Sequence, residues 1–93
     1  MADPSAWFDG VIGTVERIVE DHRGQRVAVV CHGGVVNAYL AHCLESSFEN
    51  FLRFDVDYTS VTRVMASAEG HRSVAAINER THFRGRPDLA VRD

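Results

Sequence analysis

The residues best placed for chemistry stand together in the run Val29-Val30-Cys31-His32-Gly33-Gly34-Val35-Val36. An unbroken apolar stretch gives way to a histidine, then to two glycines, then to a helical pattern. In open α/β sheets, ligands bind at the carboxyl ends of strands. Unpaired N–H groups and the dipole at a helix N-terminus attract anions. Glycine lets the backbone approach such an anion with no Cβ in the way. A histidine there donates a hydrogen bond to a phosphoryl oxygen and, when protonated, offsets charge developing in the transition state. The chemistry implied is a phosphate-type oxyanion site built from His32, Gly33 and Gly34. The competing reading is a tight turn beside a satisfied core histidine. So short a pattern does not separate the two.

Composition narrows the means by which an anion is held. The chain of 93 residues has ten arginines, no lysine and thirteen carboxylates, a net charge of −3. Schiff-base chemistry and a Walker-type phosphate lysine are excluded, which leaves arginine, histidine and backbone amides. A mildly acidic balance argues against nucleic acid as a partner. No apolar run approaches the roughly 20 residues that span a bilayer, so no membrane contact is expected. The start lacks a basic and an apolar region of the secretory type, and a cytoplasmic location is expected. Cys31 and Cys43 read as small buried hydrophobes of a reduced protein. The pairs Cys31-His32 and His42-Cys43 do not converge on one ion, because neighbours point apart on a strand or a helix. Neither a metal nor a cofactor is expected.

These residues need elements to position them. Trp7, Phe8, Val11, Ile12, Val15, Ile18 and Val19 recur at spacings of three and four, which predicts a helix over residues 3–22. Asp3 is its expected N-cap, Pro4 its first residue and Gly24 its stop. Val27-Ala28-Val29-Val30-Cys31 has no polar residue and reads as a strand buried on both faces. A second helix follows, with a stripe of Val35, Val36, Tyr39, Leu40, Cys43 and Leu44. Residues 46–52 form a short helical turn, and residues 59–68 and 73–79 form a hairpin about Glu69-Gly70-His71. The basic end, with Arg80, Arg84, Arg86 and Arg92, reads as a solvated terminus. A strand apolar on both faces belongs in the centre of a sheet, with strands at both edges. These elements hardly supply them, so the chain is expected to pair with a second copy or to be part of a larger fold.

Residues 27–42, VAVVCHGGVVNAYLAH, closely resemble the second-histidine motif of the histidine phosphatase superfamily, in its phosphoglycerate-mutase-like branch. Three further pieces agree in order. Residues 7–19 resemble the helix before that strand, and residues 58–64, YTSVTRV, resemble the strand that follows. Residues 77–83, INERTHF, are similar to the closing strand and its N-x-x-x-H end, which includes His82. The resemblance covers nearly the whole chain but only the C-terminal half of the family's domain. It implies a three-layer α/β/α fold and a phosphomonoester hydrolase or phosphoryl transferase. His32 then matches the histidine that contacts the phosphate and is the catalytic candidate, with Gly33 and Gly34 beside it as phosphate-binding residues. The family's nucleophile lies in Arg-His-Gly, a tripeptide these residues lack. Its phosphate-clamping arginine and its carboxylate proton donor also have no matching residue.

The expected partner is therefore a phosphorylated small molecule or phosphate itself, and the chain alone is expected to be inactive. Two other readings stay open: a non-catalytic remnant that self-associates as a homodimer, and an anion-binding module. Arg53, Arg63 and Arg80 are candidates for the missing cation, though their spacing equally suits surface ion pairing. His42 reads as a packing or surface residue, His22 and His71 as turn residues, and Tyr39 and Tyr58 as core or rim aromatics.

Overall fold

The structure, a computed structural model, describes residues 4–80. Helix α1 spans Pro4–Asp21 and helix α2 spans Gly33–Cys43. A 3₁₀ turn at Phe48–Asn50 follows, then strands β1, Val61–Ala66, and β2, Arg72–Glu79. The expected N-cap Asp3, the arginine-rich end and His82 lie outside the described residues.

The first helix ends as its sequence predicts. Gly24 adopts φ +74, a left-handed conformation that costs glycine little, and the His22 ring donates from Nδ1 to the Ile18 carbonyl at 2.8 Å. The second helix is apolar most of the way round, and Asn37, Ala38, Tyr39, Leu40 and Ala41 are buried. Of the predicted stripe only Tyr39 and Leu40 are buried, while Val35, Val36 and Cys43 are half-buried and Leu44 lies exposed beyond the helix. The end of α2 is a Schellman motif: Glu45 N–H reaches the His42 carbonyl at 3.1 Å, and Ser46 N–H reaches Ala41 at 2.8 Å. Glu45 occupies the left-handed position, at φ 57, where glycine is the usual residue.

The core lies between the helices. Phe8 packs with Ala38 and Ala41, and Val11, Ile12, Phe48 and Phe51 close round them. Phe8 meets Phe48 and Phe51 edge-on at 5.5 and 5.6 Å, while Phe48 and Phe51 stack at 5.6 Å. Small residues on α2 admit these rings, which is why two alanines sit at the centre.

The hairpin forms where predicted, in antiparallel register from Val61 opposite Glu79 to Ala66 opposite Arg72. Its turn carries Gly70 at φ +95. Strand β1 begins two residues later than predicted because Thr59 stands at φ 57, outside strand geometry. Two irregularities, between Val61 and Arg63 and between Arg63 and Val64, each give β2 one extra residue. Asn78, at φ 56, lies in the first and turns its side chain to accept the Asp57 N–H at 2.8 Å. Asp57 is buried and receives Arg80 at 3.1 Å.

The segment expected as a buried central strand is different. Residues 26–32 form neither helix nor paired strand. Val30 is 99% exposed, and Val27 and Val29 are about half-exposed at 47% and 48%. Cys31, expected to be a buried hydrophobe, is exposed too, while Cys43 is half-buried; both thiols are free. The physical reason is that apolar character on two faces produces burial only where strands flank both edges. The one sheet among the described residues is the two-stranded hairpin. The composition is therefore mixed α/β, and no helix among the described residues is long and apolar enough to cross a membrane.

Candidate functional site

His32 joins that apolar segment to α2. Its backbone is extended, at φ −78 and ψ 159, and its ring makes no capping hydrogen bond. Its carbonyl accepts the N–H groups of Val35 and Val36 at 3.0 and 3.2 Å, so α2 is anchored through the main chain. The ring is thereby left to point elsewhere, and the residue is exposed. Gly33 and Gly34 form the first turn, whose N–H groups have no partner four residues earlier within the helix. Three features thus coincide: an exposed imidazole, a glycine turn and the positive end of a helix dipole.

The turn is held firmly from behind. Buried Asn37 donates to the Gly33 carbonyl at 3.1 Å and to the Phe54 carbonyl at 2.9 Å. It also accepts the Phe54 N–H at 2.9 Å, so one side chain ties α2 to the loop after the 3₁₀ turn. From the α1 side, the Trp7 ring comes within 3.9 Å of the point where a Cβ on Gly34 would stand. Neither residue was singled out as part of a site by the sequence. The signal for Asn37 is a single amide in an otherwise apolar helix, which demands internal partners once buried.

A second polar cluster lies among α1, α2 and β2. Arg72 donates to Glu16 Oε2 at 2.6 Å and, from Nε, to the Tyr39 hydroxyl at 3.0 Å. The His42 ring donates from Nε2 to Glu16 Oε1 at 2.7 Å. Burial alone would raise the Glu16 carboxyl, but the hydrogen bonds from Arg72 and His42 outweigh it and hold the group below its ordinary value. The Glu16 partner in turn raises Arg72 further. Burial pushes the Tyr39 phenol up to about 12, with the Glu16 charge adding to the effect. Tyr39 is therefore a neutral hydrogen-bonding group at physiological pH, in keeping with the core aromatic expected. Of this cluster, His42 and Arg72 line an open cleft of about 600 Å³, together with Cys43 and His71.

The three arginines that were candidates for the missing cation are each engaged in an ion pair or a local hydrogen bond. Arg63 pairs with Glu79 at 2.9 Å, Arg80 with Asp57 and Arg53 with Asn50. His71 lies in the hairpin turn and His22 at the end of α1, as their sequence positions suggested. Among the described residues, no three His, Cys, Asp or Glu side chains are grouped to hold a metal ion.

Comparison with protein families finds a match to the histidine phosphatase superfamily (branch 1) over residues 3–80. The chain belongs to this superfamily. No curated protein and no solved structure matches it. The match runs from the start of α1 to the end of β2, so it takes in every described element of this histidine phosphatase chain. The superfamily acts on phosphorylated substrates, which gives the exposed histidine and glycine turn their chemical context.

Proposed function

We propose that this chain provides the second-histidine part of a histidine phosphatase site. In this reading His32 Nε2 or Nδ1 and the amides of Gly33 and Gly34 hold the phosphoryl oxygens of a phosphomonoester or of phosphate. The single observation that carries the reading is the superfamily match around an exposed histidine at the mouth of α2. Lysine plays no part, since the sequence has none. The helix dipole and a protonated imidazole supply the positive potential.

Catalysis by this chain alone is not part of the reading. The reaction needs a nucleophile, and no Arg-His-Gly occurs in the 93 residues. Losing a nucleophile costs several orders of magnitude in rate even where the oxyanion site remains. The exposed valines of residues 26–32 support the same view, because they offer the bare edges and faces of a strand meant for a sheet centre. We read the chain as the C-terminal half of a three-layer histidine phosphatase domain. Its free thiols suit the reducing cytoplasm.

The test is thermal unfolding in phosphate against chloride of matched ionic strength. Phosphate at ten times its Kd adds about 1.4 kcal/mol, which raises the Tm of a domain this size by roughly 6–11 °C. His32→Ala should remove that rise. A rise that survives the substitution, or no rise at all, contradicts the phosphate site. Phosphatase turnover by this chain, with mass spectrometry finding no second protein, contradicts its inactivity.

The same valines favour a second reading, in which two copies pair through residues 26–32 as a non-catalytic dimer. Light scattering separates the two. A monomer across micromolar concentrations removes the dimer.

A further inference from the structure

We propose that Trp7 is the wall of the phosphate site against which the organic part of the substrate rests, so that aryl phosphates are preferred over small aliphatic ones. This rests on the phosphate reading above and adds a substrate class to it.

Helical phase sets where the Trp7 ring lies. Phe8 is turned inward among Ala38, Ala41, Phe48 and Phe51, so its neighbour Trp7, about 100° further round α1, is carried out of the core. Its indole is nonetheless not loose in solvent. It is 43% exposed, its edge lies 3.9 Å from the Cβ position of Gly34, and Phe51 meets it at 5.8 Å with the ring planes 53° apart. Phe51 is itself fixed by Phe8 and Phe48. The indole is thus braced on one side and open on another, which is the condition for a preorganised stacking surface.

Its place decides what it would stack on. The indole, 3.9 Å from where a Gly34 Cβ would stand, places the N-terminal turn of α1 beside that of α2. A phosphoryl group held by the Gly33 and Gly34 amides would direct its ester oxygen away from α2, and the first atoms of the leaving group would fall beside the indole. Aromatic rings attract one another at centroid separations of roughly 4.5–7 Å, through offset or edge-on geometry. A ring on the ester oxygen reaches that range; a methyl group does not. Gly34 adds no side chain to fill the space between.

Trp7 is the single tryptophan of the chain, so its emission reports directly on occupancy. The full chain is titrated with inorganic phosphate, methyl phosphate and phenyl phosphate, with emission and calorimetry as readouts. Phenyl phosphate is expected to bind about three- to tenfold more tightly than methyl phosphate and to change the Trp7 emission. His32→Ala should abolish binding of all three. Trp7→Leu, followed by calorimetry, should keep methyl phosphate binding and lose the aryl advantage, and Trp7→Phe should retain part of it. Equal affinities for phenyl and methyl phosphate in the unaltered chain overturn the Trp7 wall and leave the phosphate site standing. Methyl phosphate binding that is absent, or that survives His32→Ala, overturns the phosphate site and the wall together. Should Trp7→Leu fail to fold, the phenyl-to-methyl ratio of the unaltered chain decides.

Discussion

Four side chains, Asn37, Glu16, Arg72 and His42, carry more of this structure than their number suggests. Asn37 satisfies two carbonyls and one N–H from inside the core, at Gly33 and Phe54. Removing the amide strands the part-buried carbonyl and N–H of Phe54, while the Gly33 carbonyl keeps its place in the helix ladder. Asn37→Ala is therefore expected to cost about 2–3 kcal/mol, read as a lower urea midpoint, with the loss felt at the first turn of α2. The Glu16–Arg72–His42 cluster makes a pH prediction. Because the folded Glu16 carboxyl titrates below its ordinary value, its contribution is complete above roughly pH 5 and is lost as pH falls through the depressed folded value. Melting of the chain and of Glu16→Gln should differ most near neutrality and converge as pH falls below the depressed Glu16 value. A constant difference across that range would mean that charge at Glu16 is not what joins the three elements. None of these partnerships was legible in the sequence. Residues 16 and 72 are far apart along the chain, and nothing in the type of either names the other.

Elements were far more legible, for a simple reason. Period-three-and-four patterns, a glycine stop and a glycine turn are local signals, and α1, α2, the 3₁₀ turn and the hairpin all stand close to where those signals put them. The exceptions have local causes as well. Thr59 delays β1, and Asn78 sits in a bulge that the alternation of β2 does not announce. Glu45 is another departure, since a side chain occupies the left-handed position after α2. Its strain of roughly 1–2 kcal/mol exceeds the roughly 0.5–1 kcal/mol of extra chain entropy that glycine loses. Glu45→Gly should then raise stability by about 0.5–1 kcal/mol, seen as a higher Tm with the helix content unchanged. In the core, Phe8→Ala removes the ring on which Phe48 and Phe51 pack. A loss of about 3–5 kcal/mol is expected, enough to unfold a chain of this size in mild denaturant.

At the scale of the whole molecule, local pattern and tertiary context part company. Residues 26–32 have the composition of a sheet centre, yet Val30 is almost wholly exposed. The pattern states what the segment is suited to; only neighbours supply the burial. The fold is accordingly mixed α/β with this apolar segment uncovered, and the site proposed for it is one histidine and one helix mouth. The proposed His32-Gly33-Gly34 site could be named from the sequence because its residues are contiguous in the chain, whereas Trp7 reaches it through space and Asn37 from one helical turn further on. If the uncovered valines are as solvated as they stand, Val30→Thr should change stability by less than about 0.5 kcal/mol while lowering any concentration-dependent association. A large stability loss would show that Val30 is already buried against something, such as a second copy.

The central claim is that phosphate is held at His32, Gly33 and Gly34. Amide-resolved NMR during a titration with inorganic phosphate tests it most directly, because each backbone N–H reports separately. The account predicts that the largest shifts fall on the Gly33 and Gly34 amides and vanish in His32→Ala. Shifts centred instead on His42, His71 and Arg72, or none at all, would contradict it.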